Sequence, residues 1–193
     1  MRSQRARELI LVLGGARGGK SAYAEDLAGR LGESVTFIAT AEAGDDEMRE
    51  RIANHRASRP SHWVTVEAPQ EVGESVRAAA AASQVVVLDC LALLVSNLLL
   101  AAGESYAAGE ARVDRELEAI LAGYAAGAAT LIVVSNEVGM GVVPAYPLGR
   151  VYRDLLGRAN ARLARAADQV VWMMAGLAVE IKASGLGHPI PER

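Results

Sequence analysis

The sequence predicts an α/β fold with a mainly parallel sheet flanked by helices. Three observations carry that prediction. Short, near-continuous runs of Val, Ile and Leu recur along the chain, as expected for strands buried on both faces of a parallel sheet. They alternate with stretches of helical periodicity, the pattern of right-handed βαβ units. Of the 193 residues 51% are hydrophobic but only 4% aromatic, so the core should be aliphatic helix-on-sheet packing.

Taken in order, Leu9–Leu13 reads as the first strand and Lys20–Leu31 as the helix after it. Val35–Ala39 is the second strand. Asp45–Ala57 follows as a helix, opened by acidic and closed by basic residues as the helix dipole favours. His62–Val66 is a strand, Pro69–Ala82 a helix, Val85–Leu88 a strand and Leu91–Ala101 a short apolar helix. Gly109–Ala126 (helix), Leu131–Ser135 (strand), Pro147–Ala167 (helix) and Val170–Met174 (strand) complete the series. No repeat or linker interrupts it, so residues 1–193 are expected to form a single domain, with 1–7 a flexible N-terminal extension and 183–193 a flexible tail. The net charge of −3 offers no electrostatic footprint for nucleic acid. The one cysteine, Cys90, excludes a disulfide framework and a cysteine metal site, and a cytoplasmic location is expected. The longest apolar stretch, near Leu91 to Ala102, is broken by Ser96 and Asn97 and is too short to span a bilayer.

Loops after strands are where ligands bind on such sheets. The first such loop reads Gly14-Gly15-Ala16-Arg17-Gly18-Gly19-Lys20-Ser21. This is G-x-x-x-x-G-K-S between a strand and a helix, the context a nucleotide phosphate loop requires. Glycines let successive N–H groups point at phosphate oxygens, and the helix N-terminus adds partial positive charge. Lys20 would reach the β- and γ-phosphates, and Ser21 would supply a hydroxyl to Mg²⁺. The fold prediction sharpens to a P-loop NTPase. Asp89, ending the Val85–Leu88 strand, suits the role of Mg²⁺ partner, although strands also end in Asp for turn chemistry. The loop Ser135-Asn136-Glu137-Val138-Gly139-Met140-Gly141-Val142-Val143-Pro144 is either a ligand edge or an ordinary polar, glycine-bearing loop. His55 shares a helix face with Met48 and Ile52. It reads as a phosphoryl carrier or as a helix-end cation. His62, beside Trp63, reads as structural, and His188 as an uninvolved residue of the tail.

These segments together resemble the bifunctional adenosylcobinamide kinase / adenosylcobinamide-phosphate guanylyltransferase family of cobalamin biosynthesis. The resemblance rests on the phosphate loop, Ile38-Ala39-Thr40, Asp45-Asp46-Glu47-Met48-x-x-Arg51-Ile52 and His55-Arg56-x-x-Arg59-Pro60-x-His62-Trp63. Leu88-Asp89-Cys90, Asn136-Glu137-Val138-Gly139-Met140-Gly141-Val142-Val143-Pro144, Arg153-Asp154-Leu155-Leu156-Gly157-Arg158-x-Asn160 and Ala166-Ala167-Asp168 continue it, in order, to about Lys182. It implies a RecA-like P-loop fold and two reactions. ATP or GTP phosphorylates the aminopropanol hydroxyl of adenosylcobinamide. GMP then passes from GTP, through a GMP-histidine, to adenosylcobinamide phosphate, releasing pyrophosphate. The family's nucleophile falls on His55, with Lys20 as the other catalytic residue. Nucleotide contacts fall on Gly14, Gly15, Ala16, Arg17, Gly18, Gly19, Lys20, Ser21, Ala39, Thr40, Ala41, Arg56, Ala57, Ser58, Arg59, Glu67 and Asp89, with Ser21 and Asp89 toward Mg²⁺. A carboxylate at Glu67 can accept from guanine N1–H and its amino group. A homo-oligomer, typically a trimer, is implied, with Leu91–Ala102 and Gly109–Ala126 as either interface or internal helices. Three positions depart from the family pattern: Gly18 stands where Ser is common, Asn54 where a second His often precedes the nucleophile, and Asp89 where Glu is frequent. The competing readings are a P-loop kinase for another small alcohol, with His55 a bystander, and a nucleotide-driven switch.

Overall fold

The computed structural model describes residues 7–42, 50, 56, 59–103 and 105–182. The expected helix Asp45–Ala57 lies outside the described residues apart from positions 50 and 56, as do most of the 1–7 extension and all of the 183–193 tail. Seven strands form one sheet: β1 (Leu9–Gly14), β2 (Val35–Ala39), β3 (Val64–Glu67), β4 (Val85–Asp89), β5 (Thr130–Val134), β6 (Gln169–Met174) and β7 (Leu177–Glu180). The order across the sheet is β3-β2-β4-β5-β1-β6-β7. All neighbours are parallel except the β6–β7 pair at one edge. Five helices complete the described chain: α1 (Lys20–Leu31), α2 (Val72–Ala82), α3 (Leu91–Ala101), α4 (Tyr106–Ala126) and α5 (Pro147–Ala166).

The apolar runs became strands because they can be covered on both sides. Every residue of β1 is buried, as are Val85–Leu88 of β4 and Leu131–Val134 of β5. Helix α1 lies against β1, β4 and β5, while α2 and α4 pack on each other most extensively. Gly73 permits that close approach, since a Cβ there would sit 2.3 Å from the Ala119 Cβ. The apolar α3 buries Leu91, Ala92, Leu94, Val95, Leu98 and Leu99 within the subunit, so most of its hydrophobic surface serves the internal core.

Several strand and helix ends shift by one residue, and larger differences from the sequence reading fall at β3, α2, α4, Arg7 and one added strand. His62 sits in a turn closed by Trp63 N–H donating to the Pro60 carbonyl at 3.0 Å, so β3 starts two residues later. α2 starts at Val72, where the Glu116 carboxylate accepts from Gly73 N–H at 2.7 Å. α4 starts at Tyr106 because Ser105 caps it, accepting from Ala108 N–H at 3.3 Å. Arg7, placed in the flexible extension, is instead fastened: its guanidinium donates to the Tyr124, Ala125 and Gly127 carbonyls at the end of α4. The strand not foreseen is β7. It joins β6 through Ala175 and Gly176, both at positive φ (51° and 81°), a two-residue hairpin turn whose twist suits the strands it connects.

Candidate active site

The carboxyl ends of β1, β2, β4 and β5 converge on the phosphate loop. β1 delivers Gly14 with φ 153°, and a Cβ there would lie 2.5 Å from the Met173 carbonyl oxygen on β6. Only glycine fits between these strands. Gly18 N–H donates back to the Gly15 carbonyl at 3.3 Å. Arg17 and Gly19 both take positive φ (56° and 88°), and α1 begins at Lys20 with no side-chain cap. Its first N–H groups are therefore left for an anion, the arrangement that makes a helix N-terminus bind phosphate. Lys20 lies across the loop, its Nζ donating to the Gly15 carbonyl at 2.7 Å. Burial pushes the Lys20 ammonium pKa below its usual value, while the charges of Cys90 and Asp89 oppose that shift.

Asp89 stands at the end of β4, in register with Ala39 of β2 and Val134 of β5. The chain beyond it is braced by Thr40. Thr40 N–H donates to the Asp89 carbonyl at 3.1 Å. Its hydroxyl donates to the Cys90 carbonyl and accepts from Cys90 N–H, both at 2.8 Å. Asn97 Nδ2 on α3 donates to the carbonyls of Thr40 (2.9 Å) and Pro69 (3.1 Å). The Asp89–Cys90 peptide is cis. Burial, followed by the Asp89 charge, pushes the Cys90 thiol up to about 11.

The third wall is the loop after β5. Glu137 N–H donates to the Gly14 carbonyl at 3.1 Å, which ties this loop to the root of the phosphate loop. Ser135 and Asn160, both buried, hold it from behind. Ser135 Oγ donates to Asn160 Oδ1 at 2.6 Å, and Asn160 Nδ2 donates to the Asn136 carbonyl at 3.0 Å. The sequence marked Asn160 as part of a motif but gave no sign of this brace, which joins residues 24 and 25 positions apart. The Glu137 carboxylate accepts from Gly139 N–H at 2.5 Å. Beyond it an open pocket of about 600 Å³ is lined by Gly139, Arg153, Asp154, Gly157, Arg158 and Ala161.

The remaining sequence-derived site residues divide. Glu67 ends β3 and is exposed, with Arg56 3.6 Å from its carboxylate. Both side chains are more than 60% exposed, so their ion pair adds little to stability and leaves both free to meet a ligand. Arg59 and Thr40 already have partners within the chain. The Arg59 side chain is only 8% exposed, lies 3.3 Å from Glu25 and stacks 3.4 Å over the Phe37 ring. A guanidinium held that way packs α1 to the segment before β3. The Thr40 hydroxyl is wholly occupied by the backbone of Cys90, so its influence on a nucleotide runs through Asp89. His55, Ala57 and Ser58 lie outside the described residues. Ala39 and Ala41 are partly buried at the end of β2.

Among the described residues no three His, Cys, Asp or Glu side chains cluster to hold a metal ion. Mg²⁺ needs only one or two protein ligands and completes its shell with phosphate oxygens and water. The hydroxyl of Ser21 and the carboxylate of Asp89 are the hard oxygen donors this needs. No helix among the described residues is long and apolar enough to cross a membrane. The arrangement can grip a triphosphate, neutralise its charge and hold its terminal phosphate at the sheet edge.

Comparison with known proteins agrees in extent and in chemistry. A family model described as cobinamide kinase / cobinamide phosphate guanyltransferase matches residues 10–181. The bifunctional adenosylcobalamin biosynthesis protein CobU of Salmonella typhimurium is 42% identical over 181 residues, covering 90% of this chain and 99% of that protein. The corresponding protein CobP of Pseudomonas aeruginosa is 43% identical over 176 residues, covering 91% of this chain and 98% of that one. Among solved structures, the crystal structure of the RadB recombinase aligns with a TM-score of 0.48 at 16% identity, covering 86% of this chain and 73% of that chain.

Proposed function

The chain belongs to the cobinamide kinase / cobinamide phosphate guanyltransferase family, and from that premise we propose how its residues divide the two reactions of a bifunctional enzyme of cobalamin biosynthesis. In the kinase step the aminopropanol hydroxyl of adenosylcobinamide attacks the γ-phosphorus of ATP or GTP. The new O–P bond forms as the bond to the nucleoside diphosphate breaks, and the hydroxyl proton leaves to solvent or a base. The phosphate loop 14–21 holds the β- and γ-phosphates, and Lys20, already positioned across it by Gly15, neutralises charge that develops on the transferring group. Bound Mg²⁺, held by Ser21 and Asp89, would supply electrostatic stabilisation of the phosphates.

In the transferase step a neutral imidazole nitrogen of His55 attacks the α-phosphorus of GTP and pyrophosphate leaves. The phosphate of adenosylcobinamide phosphate then attacks the same phosphorus, the P–N bond breaks, and His55 is restored with adenosylcobinamide-GDP as product. Splitting one displacement into two predicts ping-pong kinetics. The exposed pair Arg56 and Glu67 would meet this nucleotide, the carboxylate at guanine and the guanidinium at phosphate. The proposed assembly is a homo-oligomer, a trimer by the family's habit, acting in the cytoplasm.

The observation that carries the reading is the phosphate loop with Lys20 laid across it through its 2.7 Å bond to the Gly15 carbonyl, and Asp89 at the end of the buried strand β4. The test is incubation with Mg²⁺ and GTP labelled at the α-phosphate, beside His55→Ala. Label that survives denaturation, is lost in acid and is stable in base should appear on the parent and not on the variant. A parent that binds GTP but takes no label would overturn the transferase assignment.

A further inference from the structure

Between Glu137 and Arg150 the chain carries no charged residue across twelve positions. Here it places large apolar side chains in solvent: Met140 is 81% exposed, Val142 95%, Val143 59% and Tyr146 64%. Large apolar groups presented together at a catalytic edge mark a binding surface. The loop is held in shape, because Arg150 Nη1 donates to the Pro144 and Ala145 carbonyls at 3.0 and 2.8 Å. Its root is fastened to the phosphate loop through Glu137 and Gly14.

We infer that this loop is the docking surface for the corrin macrocycle of the acceptor, an inference that rests on the family activity proposed above. The acceptor must bring one hydroxyl on a flexible arm to the γ-phosphate while its wide ring stays outside the loop. The apolar side chains begin three residues beyond Glu137, which is itself bonded to the phosphate loop, so the ring would lie within an arm's length of the chemistry. The chemistry also matches. A corrin rim carries methyl groups and neutral primary amides, which an uncharged apolar loop can cover without leaving a charge unpaired. The adjoining pocket adds Arg153 and Asp154, paired with each other at 2.8 Å, and Arg158, paired with Glu110 at 2.5 Å; their remaining N–H groups and oxygen lone pairs suit amide carbonyls and amide N–H.

The test uses Val142→Asp and Met140→Asp in the full chain. Both side chains are exposed, so neither change should disturb folding. The KM for adenosylcobinamide should rise at least tenfold in each variant, with the KM for ATP and the extent of GMP labelling unchanged. Unchanged KM for adenosylcobinamide in both variants would overturn the placement. So would a fall in molar mass by light scattering accompanied by loss of GMP labelling, which would make this face a contact between copies of the chain. A parent that turns over no adenosylcobinamide would instead overturn the family activity, and this placement with it.

Discussion

Thr40→Val is the sharpest test of how the site is held together. The substitution keeps shape and removes one hydroxyl. That hydroxyl satisfies both backbone groups of Cys90 at 2.8 Å, and Thr40 is fully buried. Each buried polar group left without a partner costs about 1–3 kcal/mol. The Cys90 N–H is left without a partner while the Cys90 carbonyl keeps the Leu94 N–H at 3.2 Å, so the loss is about 1–3 kcal/mol. For a chain of this size a urea m-value of about 2 kcal/mol/M converts that loss to a midpoint lower by about 0.5–1.5 M. Thr40→Ser retains both bonds and loses one methyl, a cost of about 1 kcal/mol. Urea unfolding followed by circular dichroism would separate the two. The kinase rate of the still-folded valine variant should also fall, because Asp89 is one residue from the freed peptide. A valine variant no less stable than the serine variant would refute the claim that Thr40 braces this turn.

Two further outcomes follow from local geometry. Gly14→Ala would press a Cβ to 2.5 Å from the Met173 oxygen at φ 153°, a combination of overpacking and backbone strain costing about 2–5 kcal/mol; calorimetry should show a Tm lower by about 4–15 °C, and an unchanged Tm would mean that β1 and β6 part without cost. Burial, then the nearby Cys90, pushes the Tyr152 phenol from 10.0 up to about 12, so as pH rises through that interval the unfolded chain releases this proton first and stability falls; Tyr152→Phe should flatten this alkaline loss in urea titrations at pH 9 to 11, and a variant with the parent's slope would remove Tyr152 from the account.

The phosphate loop was legible because its requirement is local. Glycines, a lysine and a serine at fixed spacing between a strand and a helix specify the turn without help from the rest of the chain. For the same reason α1, β2 and α3 fall where periodicity placed them. β7 was illegible because all four of its residues are exposed and Ala175-Gly176 is a weaker hairpin signal than Asn-Gly. The roles of Thr40 and Arg59 were illegible for a different reason. A threonine after a strand and an arginine after a histidine look available to a ligand in sequence. Their partners lie 50 and 34 residues away, and only the folded chain shows that these side chains are already engaged. Ser135 and Asn160 show the same limit in reverse, as polar residues in an apolar setting that became useful only when the fold brought them together.

The buried Arg59 gives the two halves of the proposed chemistry a physical link. Its guanidinium is held by Glu25 on α1 and by the face of Phe37 on β2, so position 59 is fixed to the helix that begins at the phosphate loop. Glu25 lies five residues beyond Lys20, roughly 7–8 Å along that helix. His55 lies four residues before Arg59, and four residues span at most about 14 Å even when fully extended. These lengths, with those of the Arg59 and Glu25 side chains added, set only an upper bound on the separation between position 55 and the phosphate loop. The contacts of Arg59 with Glu25 and Phe37 thus anchor the segment before β3 to α1, and the reach of the proposed nucleophile is bounded from that anchor.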